Sequence, residues 1–123
     1  MGAVLVLRRP DGHVVFVEQR HSGGWALPGG LLRRGEAVAD AATRELVEEV
    51  GVRLTVGELP VPLACVAEHA RRVDVVYVVD VDDDLEVSRA DEVEVKRLGW
   101  FALDEPPPLT DPTVEILRAV RLL

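Results

Sequence analysis

The chain has 123 residues, a formal net charge of −8 and one cysteine. One domain over residues 1–123 is expected at that length, and a hydrophobic content of 48% excludes a disordered chain. Twenty-two acidic against fourteen basic side chains exclude a binder of the nucleic-acid backbone, which needs Lys and Arg to neutralise phosphates.

Cys65 is the only cysteine, which excludes an internal disulfide framework and suits a reducing cytoplasm. No apolar run approaches the roughly 18–20 residues of a membrane helix. Met1 to Leu7 is too short for a signal peptide. A cytoplasmic protein away from the membrane is expected.

Ala3-Val4-Leu5-Val6-Leu7 and Val14-Val15-Phe16-Val17 are short β-branched runs. Pro10-Asp11-Gly12 between them supplies turn chemistry, so a hairpin is predicted. Glycines then crowd together at Gly23-Gly24 and Gly29-Gly30, as in a loop that turns sharply or approaches something closely. Val38, Ala42, Leu46 and Val50 recur every four residues and predict a helix over 38–50, with Gly51 as its left-handed cap.

Extended segments are predicted at 52–56, 63–68, 73–81 and 95–101. The run Asp80, Asp82, Asp83 and Asp84 lacks the glycine turn and distal glutamate of a calcium loop and reads as a solvated loop. A second helix is predicted to open at Thr110-Asp111-Pro112, with Asp111 as N-cap, Pro112 at the first helical position, and Leu117 and Val120 facing inward. Many strands interspersed with two helices are the pattern of an α+β protein.

Residues three and four apart share a helix face, so Glu45, Glu48 and Glu49 are neighbours. Three carboxylates this close repel unless a cation intervenes, and an oxygen-only set suits Mg²⁺ or Mn²⁺. Zinc is not indicated, because Cys65, His13, His21 and His69 lack ligand spacing. Taken alone, two adjacent glutamates on a helix are an ordinary solvated face.

The surrounding residues, GLLRRGEAVADAATRELVEEVGV from Gly30 to Val52, change that balance. This stretch resembles the Nudix box at every defined position: Gly30, Glu36, Arg44, Glu45, Leu46, Glu48, Glu49, Gly51 and Val52. Seven fixed residue types at about one in fifteen each leave a chance match rarer than about one in a million chains. Trp25-Ala26-Leu27-Pro28-Gly29-Gly30 resembles the family's lead-in, and Glu94-Val95 followed by Trp100-Phe101 resembles its last strand.

The resemblance implies an α/β/α sandwich around a mixed sheet, with the box as loop, helix and loop. It implies metal-dependent hydrolysis of a nucleoside diphosphate linked to another group, with Mg²⁺ as the cofactor and Mn²⁺ as its substitute. Carried over residue by residue, Glu48 and Glu49 would hold metal, Glu45 would hold metal or serve as base, and the Gly29 carbonyl would add a ligand. Glu36 and Arg44 would pair and orient the neighbouring glutamates.

Outside the box, Glu94, with Glu92 second, matches a loop glutamate that acts as base or extra ligand. Arg20 and Gly30 are expected to meet substrate. Trp25, Tyr77 and Trp100 are more readily core residues than stacking platforms in so aromatic-poor a chain. His21 and His69 receive no role. A nucleotide-binding regulatory module without turnover is the alternative, although such modules usually lose box glutamates. The expected partner is a nucleoside-diphosphate-containing small molecule rather than a nucleic acid. A homodimer is left open, as is the substrate within the class.

Overall fold

The computed structural model describes residues 1–68 and 72–123. Among the described residues seven strands form one sheet: β1 (Gly2–Arg8), β2 (Val14–Gln19), β3 (Trp25–Ala26), β4 (Gly29–Leu31), β5 (Ala64–Glu68), β6 (Arg72–Asp80) and β7 (Val95–Phe101). Two helices accompany them, α1 (Val38–Glu45) and α2 (Asp111–Ala119). β1 pairs with β6 in parallel and every other pairing is antiparallel, so the sheet is mixed.

Both faces of β1 are covered, which explains its unbroken apolar run. Ala3, Leu5 and Leu7 pack with Ala41, Ala42, Leu46 and Val50 on one side. Val4 and Val6 pack with Ile116, Leu117 and Val120 on the other. The result is an α/β/α sandwich of the α+β class. Leu117 and Val120 are buried, as the spacing predicts.

The predicted hairpin forms, with Arg8 opposite Val14 and Gly12 at φ 87° in the turn. β1 and β2 then diverge, and β4 pairs with the remainder of β1, setting Gly30 opposite Ala3 and Gly29 opposite Val4. This split in the sheet lays the glycine pair beneath the helix that carries the glutamates.

Several expectations are corrected. The segment 52–56 is not a strand; it leads into a 3₁₀ turn at Val56–Glu58, held by a reciprocal cap between Thr55 and Glu58. The N-cap of α2 is Thr110, whose hydroxyl accepts from the Thr113 amide, so Asp111 and Pro112 lie within the first turn. The predicted helix over 38–50 is α-helical only to Glu45 and continues as a π-helical turn over Leu46–Val50. Gly51 closes it at φ 70°, as predicted. The very short β3 and β4 were not expected. The run from Asp82 to Asp84 is an exposed loop, whereas Asp80 ends β6 and pairs with Arg8. His69 lies outside the described residues.

Candidate functional site

The π-helical turn follows Glu45 directly and contains Glu48 and Glu49. A widened turn of this kind recurs at functional positions. Here Glu45 and Glu49 are buried while the Glu48 side chain is 38% exposed. With Gln19, Gly29, Gly30, Arg33, Arg44, Asp91 and Glu94, these three glutamates line one cavity of about 370 Å³.

Glu49 is the most enclosed of the three. Its Oε1 accepts from the Gly29 amide at 2.6 Å, and its Oε2 accepts from Gln19 Nε2 at 3.0 Å. Burial still prevails over these bonds and pushes its carboxyl up to about 7. Burial also raises the Glu45 carboxyl, against the lowering effect of Arg44.

Arg44 ties the box together. Nε and Nη2 donate to the two oxygens of Glu36 at 2.8 and 2.9 Å, a bidentate pair. Nη1 donates to Glu45 Oε1 at 2.8 Å and Glu48 Oε2 at 3.2 Å, and Nη2 also reaches the Leu31 carbonyl. Glu36 further accepts from the Arg33 amide, and its carboxyl is held down to about 2, chiefly by Arg44.

The glycine pair has separate steric reasons. A Cβ at Gly30 would collide with the Glu45 carboxylate. A Cβ at Gly29, whose φ is 156°, would collide with the Ala3 carbonyl and lie 2.9 Å from Val4 Cα. Close approach to the β1 backbone therefore excludes a side chain at Gly29, whereas at Gly30 a side chain would displace the Glu45 carboxylate.

Glu94 reaches the cavity on a turn that the Asp91 side chain caps by accepting from the Val93 and Glu94 amides. Asp91 lines the cavity too and was missed by sequence reasoning; its place three residues before Glu94 was the only available signal. Arg20, singled out for substrate, donates from Nε to the Glu92 carbonyl and from its amide to the Glu94 carbonyl, and it does not line the cavity. Glu92 is exposed and lies 3.5 Å from Arg89.

None of the three aromatic residues lines the cavity. Trp25 is buried edge-on to Phe101, Tyr77 is buried in the core against α1, and the Arg9 guanidinium covers Trp100 at 3.8 Å.

A cation placed among these residues would meet hard oxygen donors, because none of the described lining residues is a His or Cys. Among the described residues no three such side chains already form a ligating group, and Arg44 Nη1 stands between Glu45 and Glu48. The buried carboxylate of Glu49 and the Cβ-free backbone beside Glu45 make the donor set suited to a divalent ion.

No described helix is long and apolar enough to cross a membrane. The NUDIX domain model matches residues 1–120. A MutT-like protein of Streptomyces ambofaciens is 39% identical over 54 residues, which is 44% of this chain and 35% of that one. Nudix hydrolase 6 of Arabidopsis thaliana is 26% identical over 106 residues, 83% of this chain and 35% of the relative. The chain thus spans about a third of the length of these curated relatives.

Among solved structures, the NUDIX domain of Shewanella oneidensis NrtR, in complex with ADP ribose, superposes with a TM-score of 0.79 at 21% identity, covering 98% of this chain and 84% of that one. A MutT NUDIX hydrolase from Burkholderia pseudomallei gives 0.67 at 27% identity, covering 98% of both. With the family model matched over nearly its whole length and the box residues gathered at one cavity, the chain belongs to the Nudix family.

Proposed function

We infer that the protein hydrolyses the pyrophosphate bond of a nucleoside diphosphate linked to another group, using Mg²⁺, with Mn²⁺ as a substitute. The observation that carries this is the gathering of Glu45, Glu48, Glu49 and Glu94 around one cavity beside two glycines, where a Cβ would meet the β1 backbone at Gly29 and the Glu45 carboxylate at Gly30. Family membership supports the reaction class. Similar structures support the substrate class: one is an ADP-ribose pyrophosphatase from Streptococcus suis, and another is a bifunctional NMN adenylyltransferase/ADP ribose pyrophosphatase from Francisella tularensis complexed with AMP and a Mn ion.

Glu48 and Glu49 would hold the cation, with Glu45 as a further ligand or the base and the Gly29 carbonyl as a backbone ligand. Bound there, a divalent ion supplies charge neutralisation at the phosphate oxygens and a more acidic water. The Gly29 amide and Gln19 fix the Glu49 carboxylate, while Glu36 fixes Arg44 against the neighbouring glutamates. Glu45 or Glu94 would take the proton from the attacking water. Residues 1–123 would form the catalytic domain, and the free, exposed Cys65 supports a cytoplasmic location.

The test is a panel of nucleoside triphosphates, ADP-ribose and nucleotide sugars, with and without Mg²⁺, read for orthophosphate, pyrophosphate and nucleoside monophosphate. Metal-dependent turnover of at least one substrate is expected. Absence of turnover on every member overturns the inference, and ligand binding without product would instead support a regulatory module.

A further inference from the structure

A second cavity, of about 460 Å³, shares Gln19, Gly29 and Gly30 with the glutamate-lined one and extends to the first turn of α2. Among the described residues its charged lining groups are Arg72 and Asp74. Asp74 is 1% exposed, and its Oδ1 accepts from Arg72 Nε at 2.9 Å. A carboxylate buried this deeply needs a cationic partner, and Arg72 provides one.

The pair is also fitted closely to the glycine loop. β1 and β6 run in register with Gly2 beside Asp74. A Cβ at Gly2 would collide with Asp74 Oδ1, and both Arg72 Nη2 and the Gly30 carbonyl lie 3.0 Å from that point. The missing side chain at Gly2 thus lets the guanidinium sit beside the box glycine, where the two cavities join. With Nε held by Asp74, the guanidinium keeps a fixed plane, and its Nη groups form a planar donor edge suited to phosphate oxygens.

The other arginines among the described lining residues, Arg33 and Arg44, are committed to carboxylates of the box. Arg20, which the sequence suggested for this task, is committed to the loop before β7.

We propose that Arg72, oriented by Asp74, binds a non-bridging phosphate oxygen of the substrate's diphosphate at the junction of the two cavities. The proposal rests on the hydrolase reading for its substrate class. The rest of the substrate then occupies the second cavity, where the other described polar residues are neutral: Gln19, Ser22, Thr110 and Thr113. The diphosphate spans Gly29 and Gly30, with its cleaved end toward the glutamates.

The experiment measures binding of methylenediphosphonate, a base-free diphosphate analogue that resists hydrolysis, by calorimetry with Mg²⁺ present, and in parallel kcat and KM on the substrate panel. The proteins are wild type, Arg72→Gln, Arg72→Lys and Asp74→Asn, each checked for an unchanged far-ultraviolet spectrum. Arg72→Gln is expected to weaken methylenediphosphonate at least tenfold and to raise KM more than it lowers kcat. Arg72→Lys, which keeps the charge without the fork, falls between it and wild type. Asp74→Asn also falls between, since the guanidinium remains but is no longer held.

Binding unchanged within twofold in Arg72→Gln, or no binding by wild type, overturns the proposal, as does a KM that Arg72→Gln leaves unchanged on a substrate the wild type hydrolyses. Arg72→Lys keeps the question decidable should Arg72→Gln misfold. A wild type that hydrolyses nothing on the panel yet binds methylenediphosphonate through Arg72 would overturn the hydrolase reading and leave the phosphate subsite standing.

Discussion

The Gly29 amide donates to Glu49 Oε1 at 2.6 Å, joining the strand that opens the box to a carboxylate near its end. Burial nevertheless leaves that carboxyl titrating near 7, with Glu45 and Glu48 adding repulsion and Gln19 and Gly29 opposing it. A folded-state carboxyl raised above its unfolded value near 4.5 stabilises the fold only while it is protonated. The metal-free protein is therefore expected to lose several degrees of Tm between about pH 4.5 and 7 through Glu49. Mg²⁺ should restore this loss above pH 7 and release protons on binding below it. Calorimetry in buffers of different ionisation enthalpy checks the release, and a proton count of zero near pH 6 would refute the assignment.

Glu36 has the opposite sign. Its carboxyl is lowered to about 2, so its stabilisation is complete above about pH 4.5 and disappears as the pH falls through 2. Arg44→Lys removes the two-pronged contact with Glu36 and leaves Glu45 and the Leu31 carbonyl with weaker partners. A Tm lower by several degrees at pH 7 is expected, with a smaller decrement near pH 2. Thermal melts of both proteins across that range measure it.

The architecture was legible where residue spacing and packing agree. The stripe from Val38 to Val50, the β1–β2 hairpin and the final strand all follow periods that the core enforces. The segment 52–56 was misleading because β-branched residues alone do not make a strand: the Thr55–Glu58 cap offers the backbone a competing turn. β3 and β4 are too short to carry a period, and they exist because β1 and β2 diverge and leave an edge to be filled.

Spacing along an α-helix grouped Glu45, Glu48 and Glu49, but it could not foresee the π-helical turn that leaves Glu48 more exposed than the other two. Nor could it separate Arg20 from Arg72. Which arginine reaches a cavity depends on a backbone carbonyl at Glu92 in one case and on a buried carboxylate two residues along the same strand in the other.

The two box glycines should respond differently to alanine. At Gly29 the new methyl meets the β1 backbone at a positive φ, so a large loss of stability, about 2–4 kcal/mol, is expected in urea unfolding. At Gly30 it meets only the end of the Glu45 side chain, which can swing away. Gly30→Ala is expected to keep within about 1 kcal/mol of wild-type stability while Mg²⁺ affinity and kcat each fall at least tenfold. Equal destabilisation by the two changes would show that the Gly30 contact involves more than a side-chain end.

Glu48→Gln separates chemistry from folding most sharply. The Glu48 side chain is 38% exposed, and its bonds at 3.2 Å go to the charged donors Arg33 and Arg44, which an amide oxygen can still meet in part. Removal of its charge should change Tm by no more than a few degrees. If Glu48 holds the cation, the same change removes an anionic ligand that a neutral amide replaces poorly, and kcat on whichever panel substrate is turned over should fall about 100-fold or more, roughly 3 kcal/mol of transition-state stabilisation. Raising Mg²⁺ should recover part of that loss if the defect is in metal affinity, whereas a loss indifferent to metal concentration would place Glu48 with the proton-transfer groups instead.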